Sequence, residues 1–241
     1  MPTPLPRIVP LGDAAVLAEF SETLDLAVNA RIQQLAEAIR RRQVPWIRDV
    51  VPALSTLALH FDPARFVPGT SPRDAAADLI RDCLRVLPPA TDDLVRHVEL
   101  PVCYATELAP DLAEVAARCR LSPEEVIARH TASPHRVLMV GFVPGHPYIG
   151  GLDPALAVPR RTTPRPQVMA GSIAIANAQT VVYPFAIPGG WNIIGRTPLR
   201  VFDPAREPPA LLGPGDRVAF VAISLAQYEE FARAAGGGRV P

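Results

Sequence analysis

The sequence predicts an α+β amino-terminal half of ferredoxin-like flavour, residues 1–90, followed by a mostly-β half, residues 91–241, that closes as a barrel or sandwich. Three observations carry this. The first 90 residues alternate two short apolar runs with one helical run, twice over. A polar, proline-bearing stretch, Pro88, Pro89, Ala90, Thr91, Asp92 and Asp93, then reads as a linker. Third, Gly141 to Pro198 holds eight of the 15 glycines and nine of the 29 prolines, interleaved with Ile173, Ile175, Val182, Tyr183 and Trp191. Short apolar runs between Gly/Pro corners are the pattern of short strands and tightly specified turns.

In order, Arg7–Pro10 and Ala14–Phe20 read as strands around Gly12 and Asp13. A helix capped by Ser21 or Thr23 follows, with Leu24, Val28, Ile32, Leu35 and Ile39 on one face and Arg31, Glu37 and Arg41 opposite. Ile47–Val51 and Thr56–Phe61 are the next strands, and Ser71 with Pro72 starts a helix reaching Leu87. The second half opens with a strand at Leu94–Val102 and a short helix ending at Arg118. A capping box of Ser122 and Glu125 then starts a helix that ends near His130. Further strands are expected at Arg136–Val140, Ser172–Ala176, Thr180–Tyr183, Trp191–Ile194, Leu199–Phe202 and Arg217–Ala222. Ser224 caps a last helix, and Gly236–Pro241 is expected to fray.

Composition narrows the function. With 241 residues, 49% hydrophobic, the chain can bury a sizeable core. No apolar run is long enough to span a bilayer and Met1–Leu11 lacks a hydrophobic signal core, so the expectation is a cytoplasmic protein without a membrane partner. A net charge of +0 implies no nucleic-acid partner. Cys83, Cys103 and Cys119 form neither a disulfide framework nor a zinc spacing. There is no lysine, and all 24 basic residues are arginine, which excludes a Walker A loop and Schiff-base chemistry. No histidine has a neighbour at good metal-ligand spacing, so no metal is expected.

Candidate binding chemistry gathers in the Gly/Pro-rich stretch. Arg160, Arg161 and Arg165, with Arg196 in a second loop, offer planar forks for a carboxylate or phosphate, each worth about 1.5–3 kcal/mol when partly desolvated. Solvated loop arginines are the competing reading. The Gly189 and Gly190 pair before Trp191 leaves backbone N–H groups unshielded, as an oxyanion hole or carboxylate nest requires, or makes a plain tight turn. Gln179 can address an amide, and Tyr148, Tyr183 and Trp191 can wall a ligand or simply fill the core. His146 is the natural acid or base near neutral pH, and Asp153 reads as a turn residue. No catalytic nucleophile, acid or base is assignable.

The segments GFVPGHPYIGGLDP, PRRTTPRPQVMAGS, QTVVYP and PGGWNIIGRTPLRVFD resemble, in order, the motifs of the 5-oxoprolinase B-subunit family, also known as allophanate hydrolase subunit 1 or KipI-type. YATELAPDL and SPEEVIARHT also fit, so the resemblance covers the whole chain. It implies a cyclophilin-like barrel in the second half and two 5-oxoprolinase partner subunits, of the C and A types. Together these would open 5-oxo-L-proline to L-glutamate with ATP, which no motif of this chain binds. The chain would then be a lactam hydrolase subunit, inactive alone, holding a small carboxylated lactam or amide between its barrel and that of a partner. Two relatives imply alternatives: a regulatory inhibitor of a sensor histidine kinase, and a carboxyltransferase-type subunit of urea metabolism. Against the family pattern, His146 replaces Phe, Met169 replaces Pro, Ile187 replaces Ser, and Ala105, Thr106, Asn177 and Val181 stand at glycine positions. A lost glycine forces a backbone change only where φ is positive.

Overall fold

The structure, a computed structural model, describes residues 5–88 and 95–235. Its backbone contacts divide the chain into two compact units, Met1–Leu94 and Val95–Pro241.

The first unit runs β1 (Arg7–Pro10), β2 (Ala15–Glu19), α1 (Leu26–Arg41), β3 (Ile47–Pro52), β4 (Thr56–Phe61) and α2 (Pro72–Val86). Its sheet has the order β1-β2-β4-β3, with every neighbouring pair antiparallel. β2 and β3 therefore run parallel on either side of β4, and α1 crosses over between them. Val16, Ala18, Leu57 and Leu59 of the sheet meet Ile32, Leu35 and Ile39 of α1 and Ile80 of α2 in one core. The cap of α1 differs from expectation. Asp25 accepts from the N–H groups of Ala27 and Val28, so Leu24 lies outside the helix and neither Ser21 nor Thr23 caps it. The carboxylate reaches two free N–H groups at once, while the Ser21 hydroxyl turns to Thr23. Helix α2 begins as predicted, with Ser71 accepting from Asp74 N–H. Residues 89–93 of the expected linker and all of Gly236–Pro241 lie outside the described residues.

The second unit runs β5 (His97–Cys103), α3 (Leu112–Cys119), α4 (Pro123–Ala132), β6 (His135–Val140), β7 (Pro147–Gly150), β8 (Arg165–Val168), β9 (Ser172–Ala176), β10 (Gln179–Val182), β11 (Ile187–Gly189), β12 (Asn192–Arg196), β13 (Arg217–Ile223) and α5 (Leu225–Ala235). Seven strands close a barrel in the order β10-β7-β6-β13-β5-β12-β9, while β8 and β11 pair separately as a two-stranded flap. All barrel pairs are antiparallel except β5 with β13. Along β13, Val218 and Phe220 are buried while Arg217, Ala219 and Val221 are exposed, which sets the inward face. Leu100, Val102, Ile149, Ile173, Ile175 and Ile194 join them in a core that also takes Val115 of α3 and Val126 of α4.

β9 is buried along its whole length. Its alternate residues Ala174 and Ala176 point outward with Val181 and Ile193, and Val168 of β8 and Ile187 of β11 cover them. The flap thus gives one side of the barrel a second hydrophobic layer.

The predicted strand Leu199–Phe202 is not one. Phe202 makes a single bridge to Ala210, and Arg206 donates to the carbonyls of Arg200, Val201, Pro208 and Pro209. The backbone pairing stops at that bridge, with Leu211 N–H on the Val201 carbonyl at 2.8 Å and Asp203 N–H on the Pro209 carbonyl at 2.9 Å. Sequence reading misses β7, β8 and β11, since Pro-Tyr-Ile-Gly, Arg-Pro-Gln-Val and Ile-Pro-Gly are too short and too rich in proline to read as strands.

Candidate functional site

Most of the residues singled out in sequence meet on the outer barrel wall beside the flap. Tyr148 of β7 is paired with Val181 of β10, and both belong to the outer cluster with Tyr183 and Trp191. The His146 ring lies 5.0 Å from that of Tyr148 and 5.4 Å from that of Tyr183, and Tyr148 lies 6.2 Å from Trp191. An aromatic wall follows, running from His146 to Trp191.

The four arginines do not act as one cluster. Asp111, at the start of α3, is buried and accepts both Nη atoms of Arg165 at 2.8 and 2.7 Å, Arg161 Nη1 at 2.9 Å and the Ile193 N–H at 2.7 Å. Glu114 Oε2 adds a contact of 3.5 Å to Arg161, so both arginines are paired within the chain and their forks are not free for a ligand carboxylate, as the sequence reading had allowed. The Asp111 carboxylate raises the Arg165 guanidinium pKa still further through its bidentate bond. Arg196 ends β12, five residues beyond Trp191 and about 16 Å away by strand rise, with Nε on the Ala170 carbonyl at 2.8 Å. It does not converge with the others.

Arg160 is different. It is exposed, has no side-chain hydrogen bond or ion pair among the described residues, and its guanidinium carbon sits 5.2 Å from the centre of the Trp191 ring. Such a cation–π contact holds the guanidinium in place while leaving its N–H edge free. Two bonds fix the backbone on either side. Asn192 Nδ2 donates to the Pro159 carbonyl at 2.9 Å, and Arg161 N–H donates to the Gly190 carbonyl at 2.8 Å.

His146 is buried. Its Nδ1 has no hydrogen-bond partner beyond its own residue's backbone, and burial pushes the ring pKa down to about 4. At neutral pH it is an uncharged imidazole, which corrects its reading as an acid or base poised near pH 7. Gln179 Nε2 and Arg161 Nε are likewise buried and unpartnered. An unpaired buried donor costs about 1–3 kcal/mol, so such atoms mark places where a ligand or water supplies the partner.

Of the glycine pair, Gly189 serves packing. A Cβ on Gly189 would collide with the Tyr183 hydroxyl, and the Trp191 N–H donates to that same hydroxyl, whose pKa burial pushes up to about 12. The Trp191 N–H is thereby occupied. Among the positions where the resemblance expects glycine, only Asn177 has positive φ, at 53°; Ala105, Thr106 and Val181 adopt ordinary backbone. Asp153 is a turn residue as read, accepting from Ala155 N–H and pairing with Arg129. An open groove of about 600 Å³, lined by Glu125, Arg129, Ser133, Gly151 and Pro154 among others, includes none of the candidate site residues.

Sequence reasoning missed Asp111 and Asn192. The signal for Asp111 was its place after Pro110 before an apolar helical run, which reads only as a helix start.

A closed barrel with an aromatic outer wall and an α+β companion defines the class. The chain belongs to the family described as carboxyltransferase domain, subdomain C and D, whose model matches residues 6–212. Within it, the chain is a member of the 5-oxoprolinase B-subunit family. It is 40% identical over 230 residues to the 5-oxoprolinase B subunit of Bacillus subtilis (strain 168), covering 93% of this chain and 96% of that one. The protein of the same name from Escherichia coli O157:H7 is 39% identical over 213 residues, 88% of this chain and 93% of the other. The crystal structure of TTHA0988 superposes with a TM-score of 0.75 at 40% identity over 87% of this chain, which spans only 40% of that longer chain. Kluyveromyces lactis urea carboxylase has a TM-score of 0.70 at 19% identity, over 95% of this chain and 22% of that one, and shows the fold alone.

Proposed function

We propose that this chain works as the B subunit of an ATP-dependent 5-oxoprolinase, opening 5-oxo-L-proline to L-glutamate with A-like and C-like partner subunits in the cytoplasm. One observation carries the reading: 40% identity over nearly the full length of a relative that bears the name of a 5-oxoprolinase B subunit. Neither alternative gains comparable support, because the urea-metabolising neighbour is only 19% identical and the named relatives at 36–40% are 5-oxoprolinase subunits.

In this reading the substrate carboxylate is held by Arg160 from its seat on Trp191, and the lactam edge faces Gln179 and the neutral His146, with Tyr148 as wall. Each group is a hydrogen-bonding partner; none is placed as a nucleophile. ATP is left to a partner in this reading, since the chain lacks the lysine that a Walker A loop needs. The split β2–α1–β3 crossover supports reading the first unit as ferredoxin-like, and the family supports reading the barrel as cyclophilin-like.

The test is coexpression with the A-like and C-like subunits, followed by an assay of ATP-dependent glutamate release from 5-oxoproline. Turnover by the complex and none by this chain alone is expected; a folded, stoichiometric complex without turnover removes the proposal. Arg160→Ala in that complex should raise KM roughly 10- to 100-fold, the loss of one charge-assisted bond.

A further inference from the structure

We infer that Asp111, a residue outside any assigned site, is the positioning residue that sets Arg160 on Trp191. The inference rests on the reading of Arg160 as the carboxylate-holding group. Asp111 touches neither Arg160 nor Trp191 directly, yet the neighbours of both are tied to it. Its Oδ1 takes Arg161, the residue after Arg160, and its Oδ2 takes the N–H of Ile193, two residues after Trp191. The backbone pairs in return, Asp111 N–H donating to the Ile193 carbonyl at 3.0 Å. Arg165, holding the same carboxylate with two bonds, anchors the far end of the loop where β8 begins. One buried carboxylate thus fixes β12, the 160–165 loop and the first residue of the flap in a single register.

The loop carries three arginines within six residues, and like charges in one short loop repel. Asp111 pairs with Arg161 and Arg165, Glu114 adds the second negative charge 3.5 Å from Arg161, and Arg160 is left as the free guanidinium facing the wall. A site that grips an anion needs such preorganisation, because a side chain as mobile as arginine loses rotamer entropy when it binds. The Asp111 clamp and the Asn192 bond to Pro159 meet that cost on folding.

Asp111 is tested in the full chain with Trp46→Phe, which leaves Trp191 as the single tryptophan. Acrylamide quenching of Trp191 reports whether Arg160 covers the ring, and Arg160→Ala sets the uncovered limit. Asp111→Asn keeps the shape but removes the charge. It should bring quenching to the Arg160→Ala limit while Arg160 is present and thermal unfolding remains cooperative. Wild-type quenching in a folded Asp111→Asn protein overturns the inference. If Asp111→Asn does not fold, Arg161→Gln severs the same link and leaves the Arg165 fork intact; wild-type quenching there overturns it equally.

In the assembled complex, Asp111→Asn should raise KM for 5-oxoproline about as much as Arg160→Ala with a smaller change in kcat. The double variant should be no worse than Arg160→Ala. Additive losses would show a separate role for Asp111 and overturn the inference. Quenching decides the placement of Arg160 even if the complex turns out to act on another substrate. Exposure of Trp191 together with normal 5-oxoproline KM would instead refute the role given to Arg160.

Discussion

Gly189 and His146 show how much one position enforces on this wall. A methyl group at Gly189 would have to displace the Tyr183 hydroxyl, which also accepts the Trp191 N–H. Gly189→Ala should therefore cost about 1–3 kcal/mol in urea unfolding, with no change expected from a Gly190→Ala control, whose Cβ meets only ordinary contacts. His146 and His135 have ring pKa values pushed down to about 4 from 6.5 by burial, and burial with the neighbouring His135 holds His130 well below 6.5. Below about pH 6.5 the unfolded chain takes up protons at these rings and the folded chain does not. Stability is thus fully present above pH 6.5 and declines as acid is added, by up to about 1.4 kcal/mol per pH unit for each ring. Urea melts at pH 7.5 and 5.5 should show the drop, and His146→Phe should make it smaller. At this scale the aromatics singled out in sequence do sit together on one wall, but their states were not legible. Arg161 and Arg165 looked free because their partner Asp111 lies some 50 residues away, a distance over which spacing carries no information.

At the level of elements, the signals that were legible are local ones. The capping box at α4 forms as read, Ser122 taking the Glu125 N–H and Glu125 returning to the Ser122 N–H, and Ser122→Ala should cost about 1 kcal/mol in thermal or urea unfolding. The β9–β10 hairpin turns through Asn177 and Ala178, with Asn177 at φ 53°. Asn tolerates that region better than other side chains. Asn177→Gly should be neutral or slightly stabilising, and Asn177→Ala destabilising by about 1 kcal/mol, read by the same melts. What escaped notice are elements whose shape is imposed from outside. The flap strands β8 and β11 exist because each lies against the outer cluster through Val168 or Ile187. The segment Leu199–Phe202 had the right residues for a strand, but its backbone pairing is the single Phe202–Ala210 bridge, and Arg206 ties down the Arg200 carbonyl beside it.

Over the whole molecule, each unit has a core of its own, one around Leu35, Leu57 and Ile80, the other inside the barrel around Leu100, Ile173 and Phe220. A chain beginning at Val95 should therefore fold alone, with a cooperative thermal transition and a native-like near-ultraviolet spectrum from Trp191; a non-cooperative melt would show that the barrel needs its companion. The division into an α+β part and a β part was legible because it follows from periodicity. The closure of the barrel was not, since it depends on which strands become neighbours. β5 and β13 are the case in point, paired in parallel from His97 with Arg217 to Cys103 with Ile223 although more than a hundred residues separate them. A nascent chain therefore emerges with its first barrel strand waiting for its last. Until Arg217–Ile223 has been synthesised, β5 and β6 both present open edges, and every strand between them is an unfinished sheet exposed to chaperones and to other chains. The order of translation makes the seam the final step, so truncations just before Arg217 should be captured by chaperones or aggregate, and those placed after Ile223 should not.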